Sequence, residues 1–260
     1  MGSKIIKSIL FRINKTYEFF FFKIFKSFMK TVIHNDISVT FKIINDLSLY
    51  RAKSFSTKEP LTLKWIDKFK DNSCFWDIGA NIGIYSIYAK KKHKSLKVIA
   101  CEPSFFNLNL LSDNININYL SNQIIILPFP LSNNNIVGNF LLGDTRHGGA
   151  NSNFLDTKKN IKNSYSYLVS GFKGDHIIDN LNLSKPDYIK IDVDGNEMLV
   201  LNGLEKYLHD ITSILIEIDD PLQDINFLIN YFKKFNLIFD SKEEFSNYKT
   251  INYIFVRGLS

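Results

Sequence analysis

The chain has few of the features that mark a secreted or membrane-spanning protein. Its 260 residues include two cysteines, Cys74 and Cys101, which fall at different heights on neighbouring predicted strands. We therefore expect no disulfide, and two small buried thiols suit a reducing cytoplasm. The N-terminus lacks both the unbroken apolar run and the small-residue cleavage site of a signal peptide.

Residues 1–33 also lack the run of about 20 uncharged residues that a spanning helix needs. They contain seven basic residues against Glu18 alone, so their net charge of +6 equals that of the whole chain. Apolar residues recur in the segment at helical spacing, namely Ile6, Ile9, Leu10, Ile13, Tyr17, Phe20, Phe21, Ile24 and Phe28. The pattern predicts a basic amphipathic helix that either lies on a membrane surface or packs on the rest of the chain or a second subunit.

Two further absences concern partners and metals. No recognition motif accompanies the basic residues, and their excess is confined to one segment, so nucleic acid is not an expected partner. Carboxylates elsewhere in the chain could hold a divalent cation, but no spacing among them is diagnostic of a metal site. We therefore assign no metal ligand.

The most informative segment present is FWDIGANIGIYS, residues 75–86. It is typical of a buried strand that runs into a glycine turn and then a helix. Gly79 and Gly83 supply permissive backbone where a ligand approaches the main chain, and we expect the turn to offer free N–H groups to that ligand. The middle glycine of the dinucleotide fingerprint G-x-G-x-x-G is missing.

The spacing distinguishes two kinds of nucleotide ligand. The missing glycine is the one that lets a pyrophosphate approach the helix, whereas the carboxylate of Asp77 suits a ligand with an amino group or a sulfonium. S-adenosylmethionine is such a ligand. Glu102 follows the next apolar run, residues 98–101, at about the distance where an acid binds ribose hydroxyls.

A second acidic group ends a later predicted strand. Residues 187–197 begin as a strand, end in Asp192 and Asp194, and turn into a helix. Because ligands of doubly wound sheets bind beyond the carboxyl ends of the strands, we expect Asp77, Glu102 and Asp192 to converge there. Asp194 or Asn196 would also suit the cap of the following helix.

The rest of the chain completes an α/β pattern. In residues 34–56 apolar and polar residues alternate, which predicts a short strand or hairpin that connects the N-terminal helix to the rest of the chain. Pro60 suits the first turn of the helix that follows. Further strands are expected at 124–127 and 214–218, and an antiparallel hairpin at 236–239 with 251–256. Residues 138–174 are predicted to be an irregular loop in which His147 could accept a proton near neutral pH.

The quoted residues resemble the FkbM-type S-adenosylmethionine-dependent methyltransferases. The likeness runs from about residue 57 to the C-terminus and rests on FWDIGANIGIYS, CEPS at 101–104, PLSN at 130–133 and DYIKIDVDGNEMLVLNG at 187–203. It implies a seven-stranded doubly wound, Rossmann-like sheet over residues 57–260, and methyl transfer to a hydroxyl of a sugar in a glycan or glycolipid precursor.

The combined interpretation assigns site residues. The residues expected to bind S-adenosylmethionine are Asp77, Gly79, Ala80, Asn81, Gly83, Tyr85, Glu102, Pro103, Ser104, Pro130 and Asp192. A sugar hydroxyl ionises too weakly to react unaided, so a base must take its proton, and the candidates are Asp192, Asp194 and His147. A membrane-bound N-terminus would favour a lipid-linked acceptor at the inner face of the membrane.

Two other functions remain open at this point. A nicotinamide oxidoreductase would use a similar sheet, but the missing glycine argues against it. A methyltransferase-like domain that has lost catalysis could serve as a binding or scaffold protein, against which the intact Asp77, Gly79 and Glu102 speak.

Overall fold

The computed structural model of the protein describes residues 28–155, 165–218, 225–244 and 250–258. Its strands are β1 (Met29–His34), β2 (Ile37–Lys42), β3 (Cys74–Ile78), β4 (Lys97–Cys101), β5 (Ile124–Leu127), β6 (Leu131–Ser132), β7 (Ile136–Leu141), β8 (Asn153–Leu155), β9 (Ser166–Lys173), β10 (Tyr188–Ile191), β11 (Ser213–Ile218), β12 (Leu237–Glu244) and β13 (Ile251–Arg257). Its helices are α1 (Asp46–Lys53), α2 (Pro60–Ile66), α3 (Ile84–Lys92), α4 (Phe105–Ile117), α5 (Gly174–Leu181), α6 (Glu197–Gly203), α7 (Glu205–Leu208) and α8 (Ile225–Lys233).

Seven strands form the main sheet in the order β12-β13-β11-β10-β3-β4-β5. Strands β5, β4, β3, β10 and β11 are parallel, and β13 is antiparallel to both β11 and β12. The chain runs outward from β3 to β5 and then returns to the other side of β3 with β10, so the strand order reverses between β3 and β10. The predicted doubly wound sheet and its antiparallel C-terminal hairpin are confirmed.

The central strands are apolar throughout because helices cover the sheet on both faces. Trp76 and Ile189 face one apolar core, while their chain neighbours Phe75 and Tyr188 face the other. All four side chains are 4% exposed or less. The two cores hold the strand ends, and therefore the site beyond them, in a fixed arrangement.

The structure corrects the end of the predicted N-terminal helix. The sequence pattern predicts a helix over residues 1–33, but β1 begins at Met29; residues 1–27 lie outside the described part of the chain. Thr31, Val32 and Ile33 are β-branched, which favours a strand, and they pair in antiparallel register with β2. Phe28, placed on the helical stripe by the sequence pattern, lies before this strand and is exposed.

The hairpin β1–β2 packs on α4 and leads into a helix that the sequence analysis did not predict. Lys42 N donates to Asn114 Oδ1 at 2.8 Å, and Thr40 N donates to Asn118 Oδ1 at 3.0 Å. The helix α1 then begins after Asn45, whose side chain accepts a hydrogen bond from the backbone of Ser48 in a capping box. Strand β2 lies where the alternation predicts a strand. Helix α1 could have been predicted from the capping box of Asn45 and Ser48.

A second, four-stranded sheet replaces the loop predicted over residues 138–174. Its order is β6-β9-β7-β8, and the described stretch between β7 and β8 is irregular. Gly138 and Gly171 suggest a loop in the sequence, but both make room for the ring of Phe154, which would lie within 2.7 Å of a Cβ at either position. The glycines therefore serve packing inside strands, which explains the wrong prediction.

Three smaller expectations can be compared with the structure. Cys74 and Cys101 are buried and free, and they lie at opposite ends of the β3–β4 pair, as the sequence suggests. The charged residues 242–244 belong to β12 and not to a connection between strands. Among the residues that the structure describes, no helix has both the length and the apolar character needed to cross a membrane.

Candidate functional site

A cavity of about 320 Å³ opens beyond the carboxyl ends of β3, β4, β10 and β11. It lies at the reversal of strand order, where doubly wound sheets bind ligands. The irregular segment between β7 and β8 and the helix α1 contribute to its walls. Its charged lining residues are five acids and two bases, namely Glu102, Asp144, Asp192, Asp194, Glu217, Arg51 and Lys58. This excess of acid suits a cationic ligand.

The glycine turn after β3 forms the floor of this cavity. Gly79 has a φ of +87°, and a Cβ on it would lie 1.8 Å from the carbonyl oxygen of Asp192. No other residue can therefore occupy the position without moving the strand beside it. The expectation of free N–H groups is wrong for this turn: Gly79 and Ala80 donate to Cys101 O at 2.9 and 3.0 Å, and Asn81 donates to Glu102.

Glu102 lies at the end of β4 and lines the cavity together with Pro103. Its two carboxylate oxygens accept hydrogen bonds of 2.8 Å from Asn81 N and Ser104 N. Burial raises the pKa of Glu102 to about 7, although these two N–H donors act in the opposite direction. Glu102 is thus fixed in orientation at the position predicted for ribose binding.

The predicted donor-binding residues fall into three groups in the structure. The cavity itself is lined by Gly79, Asn81, Glu102, Pro103, Pro130 and Asp192. A smaller recess of about 30 Å³ beside it is lined by residues that include Ala80 and Tyr85. The residues that line neither space are Asp77, Gly83 and Ser104.

Those three residues lie next to the turn or at the start of a neighbouring helix, outside both spaces. Asp77 is 1% exposed and accepts a 2.6 Å hydrogen bond from Ser86 Oγ. Burial raises the pKa of Asp77, while Lys190 partly offsets this. Gly83 precedes α3 with a φ of 85°, and Ser104 caps α4 by accepting from Asn107 N. The structure therefore places Asp77 beneath the turn and not in the cavity wall.

A cluster of charged groups lies at the β10–β11 side of the cavity. Carboxylate oxygens of Glu59, Asp192 and Glu217 lie within 4.8 Å of one another. Lys190 Nζ lies 2.6 Å from Asp192 Oδ2, and Lys58 Nζ lies 2.8 Å from Glu59 Oε1. Three carboxylates at such distances have a geometry that could hold a cation, and here the two ammonium groups already balance much of their charge.

The buried members of this cluster hold their charges because they are paired. Glu59 is 2% exposed and Lys190 is 1% exposed. Burial alone would raise the pKa of Glu59, but Lys190 and Lys58 outweigh it and lower that pKa to about 2. Burial likewise opposes the charge of Lys190, and the surrounding carboxylates, Asp192 foremost, raise its pKa. Glu59 and Lys190 therefore keep their charges through their ion pairs with Lys58 and Asp192.

Glu217 behaves differently from its neighbours. Burial, followed by the negative charges of Asp192 and Glu59, raises its pKa to about 9. Its Oε2 atom is buried and has no hydrogen-bond partner among the described residues. Sequence reasoning missed Lys58, Glu59, Lys190 and Glu217 as site residues. The signal for two of them was a charged residue inside an otherwise apolar strand, in YIKI and SILIEI.

The other catalytic candidates, Asp194 and His147, occupy different places. Asp194 lines the cavity, has a φ of 53° and accepts a 2.9 Å hydrogen bond from Ser152 N. His147 is not among the lining residues; its ring packs edge to face on Phe106, with centroids 5.6 Å apart. Burial, followed by the charge of Lys42, lowers the pKa of His147. The structure thus does not bring His147 to Asp192.

The segment 146–153 closes one side of the cavity through its backbone. Gly149 O accepts hydrogen bonds from Asn81 Nδ2 at 2.7 Å and from Asn107 Nδ2 at 3.1 Å. Gly148 N in turn donates to Asn107 Oδ1 at 2.8 Å. These contacts join the segment to the glycine turn, so the walls on the two sides are fixed relative to each other.

The residues present fit S-adenosylmethionine. The cavity volume is within the usual range for small-molecule sites. The Cβ-free surface at Gly79 permits close approach, and Asn81 Oδ1 is buried without a partner in the described residues. The acidic lining suits the sulfonium and the amino group, and Glu102 suits the ribose.

The strand order, the glycine turn and the acidic cavity beyond it together define an α/β methyltransferase. A family model described as the methyltransferase FkbM domain matches residues 77–240, more than half of the chain. The chain belongs to this family, and it is a methyltransferase of the S-adenosylmethionine-dependent class.

Named relatives agree with this family. The chain is 23% identical to hexuronic acid methyltransferase AglP of Haloferax volcanii, over 65% of this chain and 66% of AglP. The match thus spans just under two thirds of that relative. Methyltransferase sdnD of Sordaria araneosa is 27% identical over 60% of this chain and 70% of its own length.

Solved structures resemble the chain more distantly. The crystal structure of precorrin-6y C5,15-methyltransferase from Geobacter metallireducens covers 76% of this chain and 86% of its own, at 13% identity and a TM-score of 0.47.

Proposed function

We propose that the protein transfers a methyl group from S-adenosylmethionine to a hydroxyl of a sugar in a glycan or glycolipid precursor. The observation that carries the proposal is the group of carboxyl side chains at the β10–β11 side of the cavity, across the glycine turn from Glu102. Such groups can accept the proton that a hydroxyl must lose. The name of one relative, hexuronic acid methyltransferase, supports a sugar acceptor.

The cavity divides into two halves under this proposal. Gly79, Asn81, Glu102, Pro103 and Pro130 would hold the donor, with Glu102 on the ribose and Pro130 at the adenine edge. The donor supplies an activated methyl group on a cationic sulfur. Asp192 and Asp194 line the other half, where they orient the acceptor hydroxyl. Fixing the hydroxyl beside the donor supplies part of the acceleration by proximity.

We further propose that the acceptor is linked to a lipid at the inner face of a membrane. Residues 1–33 carry the net charge of the whole chain, and basic residues next to apolar ones favour an anionic membrane surface. Where the described chain begins, Phe28, Met29 and Ile33 are each at least 50% exposed. Apolar side chains at this position would add to membrane contact.

A screen with labelled S-adenosylmethionine tests the proposed reaction. The full-length protein is incubated with neutral hexosides, hexuronosides and lipid-linked saccharides, and label in each product is counted. We expect label in at least one saccharide, and slower labelling with the Asp192→Asn variant if that carboxylate orients the acceptor. Donor binding without label in any saccharide would refute the sugar acceptor.

A further inference from the structure

Methyl transfer to a hydroxyl requires a group that takes the hydroxyl proton, a requirement that rests on the proposed function. Three carboxyl groups meet at the β10–β11 side of the cavity, those of Glu59, Asp192 and Glu217. The three groups differ in whether their oxygen atoms already have a hydrogen-bond or ion-pair partner, and this difference indicates which of them can accept a proton.

Two of the three carboxylates are engaged by cations. Glu59 accepts from Thr62 Oγ1 at 3.2 Å with one oxygen and pairs with Lys58 through the other, and it does not line the larger cavity. Asp192 lines the cavity, but its Oδ2 lies 2.6 Å from the buried ammonium of Lys190. Each of these two carboxylates therefore already has an ammonium group bound to one of its oxygens.

Glu217 has the opposite combination of features. It lines the cavity, and its buried Oε2 is without a hydrogen-bond partner in the described residues. The charged and titratable groups facing it are Lys190 on β10 with Asp192 just after that strand, Glu59 and Lys58 before α2, and Tyr85 on α3. Burial and the two acids together raise the pKa of Glu217 to about 9, despite both lysines. A carboxylate with a raised pKa binds a proton more strongly than an ordinary one.

We propose that Glu217 is the catalytic base. The acceptor proton passes to the carboxylate of Glu217 as the acceptor oxygen bonds to the methyl carbon, and the carbon–sulfur bond breaks with its electron pair left on sulfur. Below its pKa, Glu217 carries a proton in the empty cavity. A cationic donor in the same cavity favours the carboxylate form, so donor binding prepares the base by releasing that proton.

Proton release on donor binding tests this proposal without any acceptor. Binding of S-adenosylmethionine at pH 8 is measured by calorimetry in two buffers that differ in ionisation enthalpy, which gives the number of protons released. The variants are Glu217→Gln and a matched control, Glu243→Gln. Glu243 also has a pKa raised by burial, but it accepts from Leu61 N and lies outside the cavity lining.

The two variants should differ in this measurement. The wild type and Glu243→Gln should release the same number of protons, and Glu217→Gln should release fewer, by up to one. Equal release by the wild type and Glu217→Gln would overturn the proposal. Because the measurement needs only the donor, it decides the role of Glu217 as proton carrier even if no saccharide is methylated, an outcome that refutes the sugar acceptor alone.

Kinetics with a methylated saccharide give the second measurement. Glu217→Gln should lower kcat about 100-fold or more, the usual size of general-base catalysis. It should also raise the donor Kd at pH 8, because the cationic donor favours the carboxylate form of Glu217. In the wild type, kcat should rise with pH as Glu217 loses its proton. Asp192→Asn should move this rise to lower pH, because it removes a negative neighbour of Glu217. A rise that persists in Glu217→Gln and vanishes in Asp192→Asn would assign the base to Asp192 instead.

Discussion

At the scale of single residues, Gly79 shows the tightest constraint in the site. Its φ of +87° and the 1.8 Å that would separate a Cβ from Asp192 O are two independent reasons for glycine. The sequence indicates the first reason, because a glycine turn after a buried strand predicts unusual backbone. The second depends on the contact between the turn after β3 and the end of β10, which only the folded chain shows.

The first prediction compares two glycines. Gly79→Ala should lower the free energy of unfolding by about 3 kcal/mol or more, because the neighbouring backbone must move. Gly195→Ala is the control: its φ is +103°, but the nearest atom to a Cβ, Asn153 Nδ2, lies 3.5 Å away. Left-handed strain alone should cost about 1–2 kcal/mol there. Equal losses of stability in urea unfolding would contradict the close contact.

The second prediction concerns Glu102. Glu102→Ala should weaken binding of S-adenosylmethionine about 10- to 100-fold, the usual effect of losing hydrogen bonds to a charged group. Because its pKa is raised to about 7, affinity in the wild type should increase as pH rises through that value and the carboxylate forms. The variant should lose this pH dependence.

Calorimetric titration measures both effects of the Glu102 substitution. Glu205→Ala, at an exposed glutamate at the start of α7, is a suitable control and should bind like the wild type. Circular dichroism confirms that each variant is folded. A wild-type Kd in folded Glu102→Ala would remove Glu102 from the donor site.

At the scale of strands and helices, the sequence predicted those elements whose pattern of apolar residues lies within one short segment. The apolar strands and the C-terminal hairpin follow from runs of apolar residues bounded by turns. The four-stranded sheet was missed because Gly138 and Gly171 look like loop residues, although they face the ring of Phe154 from two different strands. The salt-bridged cluster was missed for a related reason: Lys58 and Glu59 meet Lys190 and Asp192 across more than 100 residues of chain.

The third prediction concerns the segment before β1. The structure shows that a deletion of residues 1–33 would remove most of β1, so the informative deletion is residues 1–27. This truncated protein should keep the melting temperature of the full chain and lose binding to anionic vesicles, because it loses six of the seven basic residues. Co-sedimentation with vesicles containing an anionic lipid measures this, with neutral vesicles as the control. Undiminished binding would contradict membrane attachment through the segment.

At the scale of the whole molecule, charge is separated along the chain. Residues after 33 are neutral overall, whereas the cavity has an acidic lining. The acidic lining attracts a cationic donor, whereas the basic segment is the part of the chain that we propose contacts an anionic surface. The fold followed from the sequence, and so did the position of Gly79, Asn81 and Glu102 at the cavity, because motif residues at strand ends determine both. The charged cluster on the other side did not follow, because it is built from residues that come together only across β10, β11 and the segment before α2.

The central claim is that the cavity transfers methyl groups to the oxygen of a sugar. The most direct measurement is the position of the label after reaction of the full-length protein with methyl-¹³C S-adenosylmethionine and a lipid-linked saccharide, read by NMR and mass spectrometry of the product. The account predicts one O-methyl signal on a sugar carbon bearing oxygen, which should accumulate at least about 100-fold more slowly with Glu217→Gln than with the wild type. A label on nitrogen, on carbon or on the protein itself, or an unmodified saccharide in the presence of bound donor, would contradict it.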